Sequence, residues 1–183
     1  MQKFEKTFQR AEKKRASSQF NDAIKFYLSA QQLCGNNSDA KLSCLLALGD
    51  CYRMVGAYEK AKRNYERAHK IAASVSDTGL AVDSLVGLGL TLRGMGKHRD
   101  ALKIFAKSEK IYKMLRDKTG LAFCLWAKGG AYRIKGDLKK AIETFKRTLD
   151  LFVQLKDKSG IGYCYCGLGG ASRIMGRVED SYK

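Results

Sequence analysis

Apolar residues fall at helical spacing in paired stretches along the chain. Leu42, Leu45, Leu48, Tyr52 and Val55 form one stretch, and Tyr58, Ala61, Tyr65, Ala68, Ile71 and Ala72 form the next. Each stretch recurs every three or four positions with polar residues between, the pattern of a helix that buries one stripe. Gly56 separates the two, where a residue tolerant of positive φ can end one helix and open a tight turn. The segment is therefore predicted to be a helical hairpin. At its far end VSDTG, and in later copies LRDKTG and LKDKSG, break the pattern; Asp with Gly close behind predicts the capped start of a new helix.

The hairpin repeats. Gly49, Gly89, Gly129 and Gly169 are spaced by 40 residues, as are Gly56, Gly96, Gly136 and Gly176, and Arg53, Arg93, Arg133 and Arg173. Ala61, Ala101 and Ala141 follow the same spacing, with Ser181 completing that series, and Asp77, Asp117 and Asp157 close the units. A step of 38 back from the second unit finds Arg15, Ala23 and Asp39, so the first unit is a shorter copy. A fixed period of this length marks a stack of two-helix modules, none of which buries its stripe alone. Gly49 and Ala61 are small, which predicts close approach of the two helices within a module.

The set Leu45, Leu48-Gly49, Tyr52, Gly56, Tyr58, Ala61, Tyr65, Ala68 resembles the tetratricopeptide repeat, and the resemblance covers practically the whole chain. The period, about six residues longer than the usual 34, and the D-K-[TS]-G turn are similar to a subgroup with an extended second helix: LGN-type adaptors, kinesin light chains and Rap regulators. Three departures stand out. Ala73, Lys113 and Val153 replace the family's proline, Lys128 stands where Leu48, Leu88 and Leu168 are apolar, and Asp50, Leu90, Gly130 and Gly170 occupy a slot where LGN-type repeats often carry a peptide-holding Asn. The resemblance implies an all-α fold, a right-handed α-solenoid of stacked antiparallel helix hairpins. It is expected as a single domain over residues 1–183, with repeats at approximately 1–39, 40–77, 78–117, 118–157 and an incomplete 158–183. It also implies that the first helices line a concave groove, through Ser43, Leu46, Asp50 and Arg53 in the second unit and the matching residues of the later ones.

Composition narrows the function. A chain of 183 residues with 45% apolar content and no proline has enough material for a core, so disorder and Pro-rich linkers are excluded. No window of about 18 apolar residues exists, and the charged start MQKFEKTFQRAEKKR lacks the apolar centre of an export signal, so a cytoplasmic location is expected. The net charge of +17 is spread over all units without a basic tail and favours encounter with acidic partners of any class. The six cysteines, Cys34, Cys44, Cys51, Cys124, Cys164 and Cys166, are expected to be reduced. Cys164-x-Cys166 lacks zinc-knuckle spacing and neither His69 nor His98 is near it, so no metal is expected. No catalytic motif occurs, and the glycines of GLGLTLRGMG belong to the repeat rather than to a phosphate loop. Neither an enzyme nor a cofactor is expected.

What remains is a protein-binding scaffold. Arg53, Arg93, Arg133 and Arg173 offer rigid forks for carboxylates, and Phe123, Trp126 and Tyr163 offer large apolar contact at small entropic cost. The expected partner is a protein segment with acidic residues and a few apolar anchors, and Gly130 and Gly170 are expected to leave room for its backbone. Alternatives stay open. The arginines suit bracing of neighbouring helices through acids such as Asp50 and Asp83, and Trp126 suits a core. A second-helix row of Arg67, Lys107 and Arg147, with Lys60, Lys103, Lys140 and Lys146 nearby, is either a solvated face or a track for nucleic acid or another polyanion. The chain stops at GRVEDSYK, early in a second helix; this is expected of a fragment of a longer protein, or of a homodimer that completes the C-terminal end.

Overall fold

A computed structural model describes residues 2–176, which fall into two compact units divided between Met95 and Gly96. The first holds α1 (Gln2–Ala16), α2 (Phe20–Gln32), α3 (Ser38–Met54), α4 (Tyr58–Ser74) and α5 (Thr78–Gly94). The second holds α6 (His98–Leu115), α7 (Lys118–Lys135), α8 (Leu138–Gln154) and α9 (Lys158–Ile174). Within each unit every helix packs on the next, while α3 also reaches α5 and α7 reaches α9. The described residues contain no strand, and the fold is of the all-α repeat-solenoid class that the 40-residue period predicts. The second helix expected at GRVEDSYK lies outside the described residues.

The turns follow from local chemistry. Gly56, Gly96 and Gly136 adopt φ of 76°, 79° and 91°, a region closed to most side chains, and so end each first helix. The second helices start their turns with Ser76, Arg116 and Lys156 in the same left-handed region, where no glycine marks the break in the sequence. The next helix is then capped: Asp77 accepts from the Leu80 N–H at 2.8 Å, Asp117 from Gly120 at 2.9 Å and Asp157 from Gly160 at 3.0 Å. In the first copy the cap is Asn37, accepting from Ala40 at 2.9 Å, and Asp39 lies inside α3. Its α2 has 13 residues against 17 in α4, and a longer connector returns only part of the difference, which explains the 38-residue first period.

The recurrent glycines are seats for aromatic rings. Tyr65 of α4 is wedged between α3 and α5: a Cβ on Gly49 would stand 2.8 Å from its ring, and one on Gly87 would stand closer still. Phe145 of α8 is wedged in the same way between Gly129 of α7, at 2.9 Å, and Gly167 of α9, at 2.7 Å. Each such ring buries most of its surface and supplies much of the local packing energy. A second contact exchanges bulk between repeats. In the first unit Ala72 is small and Leu80 of the following helix packs on its cluster; in the second, Tyr112 fills the space over Gly120 and Phe152 the space over Gly160.

Candidate functional site

In the first unit the arginine row is tied to acids and tyrosines. Arg15 donates through Nη2 to Glu12 at 2.6 Å, and its Nη1 lies 3.9 Å from Asp50. Arg53 places Nη2 3.5 Å from the same Asp50 carboxylate. Tyr65 donates its hydroxyl to Asp50 Oδ1 at 2.7 Å, and Tyr27 donates to Glu12 in the copy 38 residues earlier. Burial, then the neighbouring carboxylates, push both phenols well above their usual range, so both stay protonated donors. Sequence reading proposed Asp50 as a brace partner of the arginines but missed Glu12 and both tyrosines. A signal was present. The wedged aromatic is Tyr65 where the first helix carries Asp50 and Phe145 where it carries Gly130, and along the sequence the residue 15 positions on is Tyr after an acid (Glu12, Asp50) and Phe otherwise (Leu90, Gly130). Arg93 occupies the last turn of α5 and is half-buried.

The second unit is different. Phe123 and Trp126 of α7 stack with centroids 5.5 Å apart, and Tyr163 of α9 lies 5.7 Å from Trp126, giving a continuous aromatic ladder across two first helices. Phe123 is 44% exposed and Tyr163 59%, while Trp126 is half-buried and also packs on the cluster of Ala122, Phe152 and Cys164. Trp126 thus serves the core with one side and the ladder with the other. Arg133 of α7 is half-buried and Arg173 of α9 exposed, and among the described residues no carboxylate lies within 4 Å of either. The Nη1 of Arg133 stands 3.1 Å from the place a Gly170 Cβ would take, and its Nε–H is buried without an acceptor. The room over Gly170 expected for a ligand backbone is therefore filled by a guanidinium, because the missing side chain lets Arg133 lie down on α9.

Lys128, the charged residue in an apolar register, is paired. It donates to Glu109 at 2.8 Å, and Glu109 also accepts from Lys113 at 2.7 Å. Burial raises the Glu109 pKa, but the two ammonium groups outweigh it and hold the carboxyl below its usual range. On the second helices Lys60, Arg67, Lys103, Lys107, Lys140, Lys146 and Arg147 are all exposed. Lys60 and Lys140 rest over the rings of Tyr52 and Tyr132, at 5.6 and 5.9 Å. All six cysteines are free; five are buried and Cys166 is exposed. Among the described residues no group of three His, Cys, Asp or Glu side chains could hold a metal ion, and no helix is long and apolar enough to cross a membrane.

Solved structures share the fold of this chain at low sequence identity. A Rap protein complexed with Competence and Sporulation Factor is 16% identical, with a TM-score of 0.88 over 96% of this chain and 50% of its own. The Rap conjugation gene regulator of the plasmid pLS20, in complex with the Phr* peptide, is 18% identical, with a TM-score of 0.88 over 98% of this chain and 50% of its own. A putative kinesin light chain from Podosopora anserina, with nearly identical TPR-like repeats, is 13% identical, with a TM-score of 0.74 over 98% of this chain and 90% of its own. The chain therefore spans half the length of these Rap chains and most of that of the kinesin light chain structure. No curated protein matches it in sequence. The tetratricopeptide-repeat family model, however, matches residues 6–74 and 80–154, and with most of its length so matched the chain belongs to the tetratricopeptide-repeat family.

Proposed function

We propose that this chain is a non-enzymatic protein-interaction scaffold whose first-helix face takes up a segment of another protein bearing acidic residues and apolar anchors. The observation that carries this reading is the ladder of Phe123, Trp126 and Tyr163, three large rings in contact with one another and partly open to solvent. Rings left open in this way are the anchors that peptide-binding surfaces use, because they offer large area at small cost in rotamer freedom. The arginines on the same helices supply charge complementarity to carboxylates. Two of the similar folds, the Rap proteins, are complexed with a factor and with a peptide, which supports the same class of partner for this chain.

The test is panning of a phage-displayed library of random dodecapeptides on the full chain. Enriched sequences are expected to combine an aromatic or large aliphatic residue with acids. Trp126→Ala and Phe123→Ala are each expected to weaken the best of them at least tenfold, with helical circular dichroism unchanged. Enrichment of no peptide, or affinity indifferent to both substitutions, defeats the reading. Salt supplies a further arm: polyanion binding through Arg67, Lys107 and Arg147 requires affinity to fall steeply and log-linearly with salt, whereas anchored peptides lose less.

A further inference from the structure

We infer that the arginine row is divided in role: Arg15 and Arg53 brace the first unit, and Arg133, seated on Gly170 and seconded by Arg173, is the carboxylate receptor of the ligand face. This rests on the scaffold reading and assigns the partner's acidic residues to one place on it. The repeats themselves run the comparison. Arg15, Arg53, Arg133 and Arg173 occupy one register of the first helix, and what separates them is the residue three positions earlier. There Glu12 and Asp50 stand in the first unit, within reach of Arg15 and Arg53; Gly130 and Gly170 stand in the second. An arginine already paired gives a ligand carboxylate little, since a new pair must replace an old one and be desolvated as well. Arg133 and Arg173 have no such partner among the described residues.

Arg133 is also the better prepared of the two. Its guanidinium lies against the α9 surface at Gly170, where even a methyl group would press on Nη1, and its buried Nε–H shows that the side-chain stem is held. Part of the rotamer entropy that a flexible arginine loses on binding is already spent. Its position relative to the ladder sets the ligand. Arg133 follows Trp126 by seven residues on α7, close to two turns, so the two lie on nearly the same stripe about 10 Å apart. An extended peptide covers that distance in about three residues. The segment that fits is one with an aromatic anchor and an acid about three residues away.

The experiment uses an array of Gly/Ser-based dodecapeptides, each with one Trp and one Glu at every distance from it, beside Glu-free controls, probed with the full chain. A Glu about three residues from Trp is expected to raise binding at least tenfold over the control. Arg133→Gln is expected to abolish that gain. Gly170→Leu, which copies Leu90 of the third repeat and displaces the guanidinium while keeping its charge, is expected to do the same. Arg53→Gln is expected to lower the thermal midpoint and leave the gain intact. A gain that survives Arg133→Gln, or that Arg53→Gln removes from a chain of native circular dichroism, overturns the division. Binding that is equal with and without Glu overturns it while leaving the scaffold reading standing, and binding of no peptide on the array ends both.

Discussion

The Tyr65 hydroxyl, at the tip of a ring wedged between two glycines, donates to Asp50 at 2.7 Å, and that carboxylate also faces Arg53 and Arg15. The link predicts a specific pattern of non-additivity. Tyr65→Phe leaves Asp50 with its arginines and with solvent, and is therefore expected to cost about 1 kcal/mol, below the roughly 1.5–3 kcal/mol of a hydrogen bond to a charged group. Asp50→Leu strands a buried hydroxyl and is expected to cost more, about 1–3 kcal/mol. The double variant carries the residues that the sequence has 40 positions on, Leu90 and Phe105, and is expected to recover most of the loss. Urea denaturation of the four proteins measures it; costs that simply add would show that the hydroxyl and the carboxylate are not coupled.

How much of this could be read from the chain follows from what each feature depends on. The two-helix module and its first turn were legible because an amphipathic stripe and a glycine at positive φ leave direct marks in sequence. The second turn was legible only through Asp77, Asp117 and Asp157, since the left-handed residues there are Ser76, Arg116 and Lys156. The arginine row was legible as a row, but not its division. Whether an arginine is free depends on an acid one turn before it and on a tyrosine 15 positions beyond that acid, contacts that neither period displays. The same limit hid Gly170. A glycine in a peptide-facing register reads as space, and only the packed structure shows a guanidinium lying in it.

Exchange of bulk between neighbouring helices gives a second prediction. Phe152 occupies the space over Gly160, whereas Ala72 and Leu80 divide the equivalent space the other way round. Gly160→Leu alone overpacks the contact and is expected to cost at least about 1–3 kcal/mol. Phe152→Ala alone opens a cavity and is expected to cost about 3–5 kcal/mol. Combined, they rebuild the second-repeat arrangement and are expected to be more stable than Phe152→Ala by itself. Thermal unfolding decides this. If the double variant is the least stable of the set, the two repeats do not share one packing scheme.

The Glu109 and Lys128 pair makes stability depend on pH in a defined direction. Glu109 has a folded-state pKa below its unfolded value, so its contribution is complete above the unfolded value, near 4.3, and is lost as pH falls through the lower folded value. Lys128→Leu restores the residue of Leu48, Leu88 and Leu168 but leaves a carboxylate with 11% side-chain exposure supported by Lys113 alone. It is expected to destabilise by about 2–3 kcal/mol at pH 7, short of the 3–5 of a fully buried pair. Adding Glu109→Leu, the residue Leu149 provides one repeat later, is expected to return stability to wild type or above. The double variant should also lose less stability than wild type between pH 5 and about pH 3. An equal loss in the two proteins would place the acid sensitivity elsewhere.

The thiols predict a chemical signature that also reports on the ligand face. Cys44 and Cys124 are pushed up to about 12, and Cys51 and Cys164 to about 11, in each case chiefly by burial, so they hold almost no thiolate at pH 8 and are sterically closed as well. Cys34 is buried against Cys44, with the sulfurs 3.9 Å apart. Cys166 alone is exposed, one turn beyond Tyr163 on α9 and in the register that Trp126 holds on α7. One fast thiol per chain is therefore expected with an aromatic disulfide reagent at pH 8, and the other five only after unfolding; rapid reaction of several would mean that the helices open locally. A bulky maleimide on Cys166 stands beside the ladder, so the labelled chain is expected to lose peptide affinity at least tenfold, and Cys166→Ser is expected to be immune to the reagent while binding as wild type. Undiminished binding by the labelled chain would show that bound segments do not reach this part of α9.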